Sequence, residues 1–210
     1  MAQRRIGGTD LLAHDRALDA RFVAGADEAG RGALAGPVVA AAVLLEPHAL
    51  ADGALAGLDD SKRLTAKRRE ELAATILAVA EAVAVVSVAG PEIDEIGIQA
   101  ANLGALSRAL DLVAAPAGAV LLVDGFALPE QAREHRALVK GDATSAAIAA
   151  ASVIAKVTRD RAMVALDAAA PGYGFGAHAG YGTASHREAI TRLGPCPAHR
   201  HSFAPIALAA

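Results

Sequence analysis

Residues 22–32 read Phe22-Val23-Ala24-Gly25-Ala26-Asp27-Glu28-Ala29-Gly30-Arg31-Gly32. The apolar run up to Ala26 has the composition of a short buried strand, and two adjacent carboxylates stand at its end. An Asp leaving a buried strand is costly to desolvate unless a cation meets it. Flanking glycines leave room for a backbone or a ligand to come very close. One reading is therefore a site for a divalent cation and a phosphate; the same residues also compose an ordinary solvated turn. Successive strand side chains point to opposite faces. Asp27 and Glu28 then share a pocket only if the strand ends or bulges at Ala29-Gly30. A phosphate cradle at a helix N-terminus fits poorly, because two acids sit where bare N–H groups are needed.

Outward from this stretch, Pro37 to Leu45 reads as a second strand. The tight Gly32–Gly36 link makes it an antiparallel neighbour. Thr65 is placed to cap a helix running to about Ala80, and Val83 to Val88 is a third strand. Gly90-Pro91 is expected to break the chain, a helical stretch covers about Ile98 to Val113, and Ala119 to Val123 is a fourth, fully apolar strand ending at Asp124-Gly125. Ala137 to Val139 is a short extended piece. A long Ala-rich helix runs from Thr144 to about Ala168, and another from about Thr183 to Leu193. Residues 1–20 read as a peripheral segment, and 1–210 as one domain with its core at about 22–206. This order gives an α/β fold, a mixed β-sheet flanked by helices with a small helical C-terminal part.

Composition narrows the function classes. Cys196, the single cysteine, can form no internal disulfide, and no apolar run of signal-peptide length opens the chain. A cytoplasmic protein is expected. Leu72 to Gly90 is hydrophobic but interrupted by Glu81, so helix then strand is expected rather than a membrane span. The formal charge of −3 argues against a nucleic-acid binder, yet two divalent cations held by the acids would reverse its sign. Basic residues also bunch at Lys62-Arg63, Lys67 to Arg69, Arg133 to Lys140, Lys156 to Arg161 and His199 to His201. Nothing in the pattern forces an oligomer, and a monomer is expected.

Three places share one design: Asp27-Glu28 ends the first strand, Asp124 ends the fourth, and Asp142 precedes a helix. Acids at the ends of separate strands of one sheet converge where ligands bind. Carboxylates without Cys/His spacing suit Mg2+ or Mn2+ rather than zinc. Each also has a plain structural reading, Asp124-Gly125 as a turn and Asp142 as an N-cap. In Asp59-Asp60-Ser61-Lys62 the hydroxyl and the amine suggest an anion contact, or a helix-entry turn. Lys156 and Asp160, four apart on a helix, read as a surface ion pair. His178, His186, His199 and His201 read as phosphate or surface contacts, or stay unassigned.

Assembled, the chain resembles ribonuclease HII, the bacterial type 2 ribonuclease H. The resemblance rests on Ala24 to Gly32 with Gly36-Pro37, Leu58 to Leu64, Glu92 to Glu95, Val123-Asp124-Gly125, Lys140-Gly141-Asp142, Ala149 to Asp160, Tyr173-Gly174-Phe175, Gly180 to Thr183 and Ser202-Phe203. It implies an RNase H-like sheet and an endonuclease that cuts 5′ of a ribonucleotide in RNA/DNA hybrids or in duplex DNA containing single ribonucleotides. It further implies catalytic, metal-holding acids at Asp27, Glu28, Asp124 and Asp142, with two Mn2+ or Mg2+ ions. Gly30, Arg31, Gly32 and Tyr181 would recognise the junction between a ribonucleotide and the next deoxyribonucleotide, and Ser61, Lys62 and Lys140 would meet phosphates. Ala179 departs from the lysine that many relatives carry before Gly-Tyr. The competing readings are a type 3 ribonuclease H or another nuclease on this sheet, and a non-catalytic module that binds hybrids. Type 3 enzymes usually carry an extra N-terminal domain, whereas about twenty residues precede the first strand here.

Overall fold

The computed structural model describes residues 8–59, 61, 64–125, 127–128 and 133–208. Helix α1 (Gly8–Arg16) leads into β1 (Val23–Ala29), which pairs antiparallel with β2 (Val38–Leu45). Then follow α2 (Ala66–Val79), β3 (Ala82–Val88), α3 (Gly90–Ile96), α4 (Ile98–Leu112), β4 (Val120–Asp124) and β5 (Arg136–Leu138). A 3-10 turn at Gly141–Ala143 precedes α5 (Ala146–Ala169), and α6 (Phe175–His178), α7 (Ala184–Leu193) and α8 (Ala204–Ala207) complete the described chain.

The five strands form one mixed sheet in the order β3-β2-β1-β4-β5, parallel only at β1–β4 and β4–β5. This is the expected α/β architecture. Alternation along β1 sends Val23 toward α5 and α2, and Ala24 and Ala26 toward α4, so the sheet is buried on both faces. The first half of α5 is buried all round, from Ala146 to Ala155, and its small side chains let it lie against the strand. Gly25 marks the closest approach: a Cβ there would fall 2.2 Å from the Ile148 backbone nitrogen.

Thr65 caps α2 as expected, its hydroxyl accepting the Arg68 N–H at 3.2 Å. Three expectations change. The N-terminal segment is not peripheral where it is described, because Leu11 and Leu12 of α1 sit in the core. Asp15, fully buried, accepts the Ala147 N–H at 2.8 Å and so ties α1 to the start of α5. Gly90-Pro91 does not simply break the chain but opens α3, with Pro at a first-turn position that needs no N–H donor.

The histidines differ most. His186 and His199 are fully buried, with Nε2 atoms 3.1 Å apart, packed among Tyr173, Phe175 and His178. They are core groups of the C-terminal part rather than phosphate contacts, and burial pushes His199 down to about 4. This part docks on the link between β1 and β2 through Leu34 N–H to Gly180 O, Gly36 N–H to Ala198 O and Arg200 N–H to Leu34 O.

Candidate active site

The parallel pairing of β1 with β4 ends at Ala26 opposite Val123, so Asp27 and Asp124 are the next residues on neighbouring strands. In-register parallel neighbours project to the same face, and here that is the α5 face. Asp124 ends its strand as expected. β1 instead continues without a bulge, Glu28 and Ala29 pairing with Ala40 and Val39. Glu28 is therefore not turned toward Asp27 by a broken pleat; it borders a cleft at the end of the sheet.

Asp27 is 6% exposed. Its Oδ1 accepts the Glu28 N–H at 2.7 Å, and the Ser152 hydroxyl of α5 also donates to the carboxyl. Burial above all, then the charges of Glu28 and Asp124, push its pKa up to about 8. Asp124 accepts the Gly141 N–H at 2.6 Å through Oδ1, which fixes it to the turn carrying Asp142. Asp142 is buried. It is not the cap of α5, because Ser145 takes that place, its hydroxyl accepting the Ile148 N–H at 3.3 Å.

Beside these acids lies a cleft of about 500 Å³. Glu28, Gly30, Arg31 and Gly32 form one wall, and Ser61, Ser152 and Tyr181 line it as well. Lys140 is exposed, in a left-handed conformation, next to the turn that carries Asp142. Lys62 lies outside the described residues. The two glycines differ. The space beside Gly30 is already filled, since a Cβ would meet Arg159 Nε at 1.8 Å, whereas a Cβ on Gly32 would touch nothing. Both line the cleft, but only at Gly32 is the direction of a side chain open.

Residue-by-residue reading misses three further cleft residues. Arg69, Ser152 and Lys156 all line it. The Lys156–Asp160 pair forms at 2.6 Å, and Arg69 joins Asp160 at 3.2 Å. This ion pair is half-buried in the cleft wall rather than a surface pair. The signal was the four-residue step from Ser152 to Lys156, which puts both on one face of α5.

The same positions lie within residues 24–206, which match the family model described as Ribonuclease HII. The chain belongs to the ribonuclease HII family. It is thus a ribonuclease H, an enzyme and not a passive hybrid binder. A ribonuclease HII of Rhizobium leguminosarum bv. trifolii is 54% identical over 185 residues, 88% of this chain and 78% of that one. The crystal structure of ribonuclease H2 from Pyrococcus horikoshii OT3 has a TM-score of 0.74 at 26% identity, covering 90% of this chain and 96% of that one. The fold alone is shared with Bst-RNase HIII in complex with Mn2+, at TM-score 0.71 and 23% identity over 96% of this chain and 72% of that one.

The acids of this ribonuclease HII chain suit a cation. The side chains that set the state of Asp27 are two carboxylates and a hydroxyl, with no cationic group among them, and carboxylate oxygens are the hard donors that such a cation takes. Among the described residues no group of three or more Asp, Glu, His or Cys side chains is close enough to hold a metal ion as they stand. What is assembled around Asp27 is a concentration of negative charge from Glu28 and Asp124.

That charge has a measurable consequence in chelator. The Asp27 carboxyl titrates near 3.8 when unfolded and about 8 when folded. Between those values the unfolded state has already lost the proton that the folded state keeps, so this group lowers stability as pH rises from about 4 to about 8. Asp27→Asn is expected to remove that slope. One pKa unit corresponds to about 1.4 kcal/mol, so at pH 7.5 the variant should exceed the metal-free parent by at least that amount. Melting curves across pH, parent against variant, check this. Parallel curves would show that Asp27 is not desolvated.

Proposed function

We propose that this ribonuclease H is a metal-dependent endonuclease that hydrolyses the phosphodiester 5′ of a ribonucleotide, both in RNA/DNA hybrids and at single ribonucleotides within duplex DNA. The products are 3′-hydroxyl and 5′-phosphate ends. The observation that carries this reading is the buried Asp27, charge-coupled to Glu28 and Asp124, beside a glycine-walled cleft. Asp27, Glu28, Asp124 and Asp142 would hold two divalent ions, Mn2+ or Mg2+. Such ions, when bound, supply an activated water and neutralise the charge that develops on the phosphate.

The remaining work falls to the chain. Ser152 and the Glu28 amide orient the Asp27 carboxylate, and the Gly141 amide orients Asp124. Asp142 stands on the leaving-group side, where its carboxyl would give a proton to the departing 3′ oxygen. Backbone groups of Gly30, Arg31 and Gly32 would bond the 2′-hydroxyl, the feature that separates RNA from DNA at one position. Tyr181, 39% exposed at the cleft, would stack on the next sugar and exclude a second 2′-hydroxyl. Arg31, Ser61, Lys62, Arg69, Lys140 and Lys156 would meet phosphates, so that affinity falls as salt rises. We further propose that residues 1–210 act as one catalytic domain, as a monomer and in the cytoplasm.

The test uses an end-labelled DNA duplex containing one ribonucleotide, an all-DNA control, and Mn2+, Mg2+ or chelator. A metal-dependent nick directly 5′ of the ribonucleotide, absent from the control, is the expected result. Cleavage of continuous hybrids alone would remove the junction reading and leave a general ribonuclease H.

A further inference from the structure

The two largest fully buried side chains are arginines, Arg159 of α5 and Arg200 of the turn before α8. Among the described residues neither is in an ion pair. A buried guanidinium without a carboxylate is a costly choice for a merely structural contact, since an apolar side chain of similar size would fill the space more cheaply. Burial lowers the pKa of both, that of Arg200 to about 10; a guanidinium in a protein keeps its proton.

Their side-chain hydrogen bonds converge on one loop, residues 30–37. Arg200 donates from Nη2 to Gly30 O and from Nη1 to Arg31 O, each at 2.8 Å. From Nε and Nη2 it also reaches Gly36 O at 3.1 and 2.9 Å. Arg159 donates from Nε to Pro37 O at 2.9 Å and from Nη2 to Ala35 O at 3.2 Å. It lies against the Cα of Gly30, and its Cζ stands 5.4 Å from the Tyr181 ring centroid. Arg159 Nη1 is buried without a hydrogen-bond partner.

The described peptide bonds include no cis bond, and in a planar trans peptide the C=O and N–H point in opposite directions. Drawing the Gly30 and Arg31 carbonyls inward to Arg200 therefore turns the N–H groups of Arg31 and Gly32 outward, toward the cleft those residues line. We infer that Arg200 and Arg159 are positioning residues for 2′-hydroxyl recognition: Arg200 sets the direction of the two amide donors, and Arg159, under Gly30 and against Tyr181, sets their distance from the ring. This rests on the proposed reading of the Gly30–Gly32 loop. A planar five-donor fork can hold several carbonyls at once, and an ammonium cannot reproduce that geometry. Fixing donors before substrate arrives removes the ordering penalty at binding.

The experiment crosses protein and substrate changes. Arg200→Lys and Arg159→Lys are compared with the parent on a single-ribonucleotide duplex and on the same duplex with 2′-fluoro in place of the 2′-hydroxyl. The parent is expected to lose about 100-fold in kcat/KM on fluoro substitution, and the variants less than about tenfold, because their amides are already misdirected. A purely structural role lowers cleavage of both duplexes by the same factor, and that outcome in a variant melting near the parent overturns the inference. A parent indifferent to fluoro substitution overturns the underlying reading instead, and the inference with it. Should neither variant fold, hydrogen exchange at the Gly32 amide is followed in Asp124→Asn protein bound to each duplex. Slower exchange with the ribonucleotide duplex alone supports the inference, and equal exchange with both overturns it.

Discussion

Asp124→Asn is expected to lower kcat at a single embedded ribonucleotide by at least about a thousandfold, with substrate affinity unchanged or tighter. The substitution is nearly isosteric, and an amide oxygen can still accept the Gly141 N–H that the carboxylate accepts at 2.6 Å. The fold and the adjacent turn are thereby kept. What disappears is one negative charge from a group of acids whose field already raises Asp27. With one anion fewer, a divalent ion is held less well, and the chemistry that depends on it fails. Binding goes the other way, because a carboxylate facing a phosphodiester repels it. Single-turnover rates together with equilibrium binding in chelator separate the two. Equal losses in both would mean that the acids organise the fold around a structural cation and take no direct part in the reaction.

The sequence shows that acids gather toward a sheet end, because an apolar run gives way to a polar break at Asp27-Glu28 and at Asp124, although β1 continues to Ala29 and only Asp124 ends its strand. The sheet order was legible only in part. A tight glycine link declares β1–β2 antiparallel, but placing β4 beside β1 depends on contacts far apart in the chain. The N-terminal segment misled for a related reason. Leu11, Leu12 and Asp15 sit in a polar stretch, and their burial comes from α5, more than a hundred residues away. Gly30 and Gly32 look alike in sequence, yet Arg159 fills the space beside one and nothing fills the space beside the other. The buried arginines were the least legible. A basic residue read in isolation is assigned to solvent or to phosphate, and only folding shows that Arg159 and Arg200 end on backbone carbonyls.

Gly25→Ala is expected to abolish folding, although it adds a single methyl group to a strand that otherwise tolerates alanine at both neighbouring positions. The added Cβ would fall 2.2 Å from Ile148 N, 2.3 Å from Ala147 C and 2.7 Å from Ala147 O. These are backbone atoms of α5, so no rotamer change relieves the overlap. Nor can the helix simply retreat. Its first turn is anchored by Asp15 to the Ala147 N–H and by Ser145 to the Ile148 N–H, and its buried face packs across β1 and β2. Moving it away would open the core along several alanines at once and draw Ser152 from Asp27. A loss above about 4 kcal/mol is expected, a large share of a domain total of about 5–15 kcal/mol. Gly32→Ala is the matched control. Its Cβ meets nothing and its φ is not positive, so its melting temperature should stay within a few degrees of the parent while cleavage suffers. Thermal melts of the two variants decide the matter: a Gly25→Ala protein that melts like the Gly32→Ala protein would mean that α5 does not rest on β1, and the placement of Ser152 against Asp27 would fall with it.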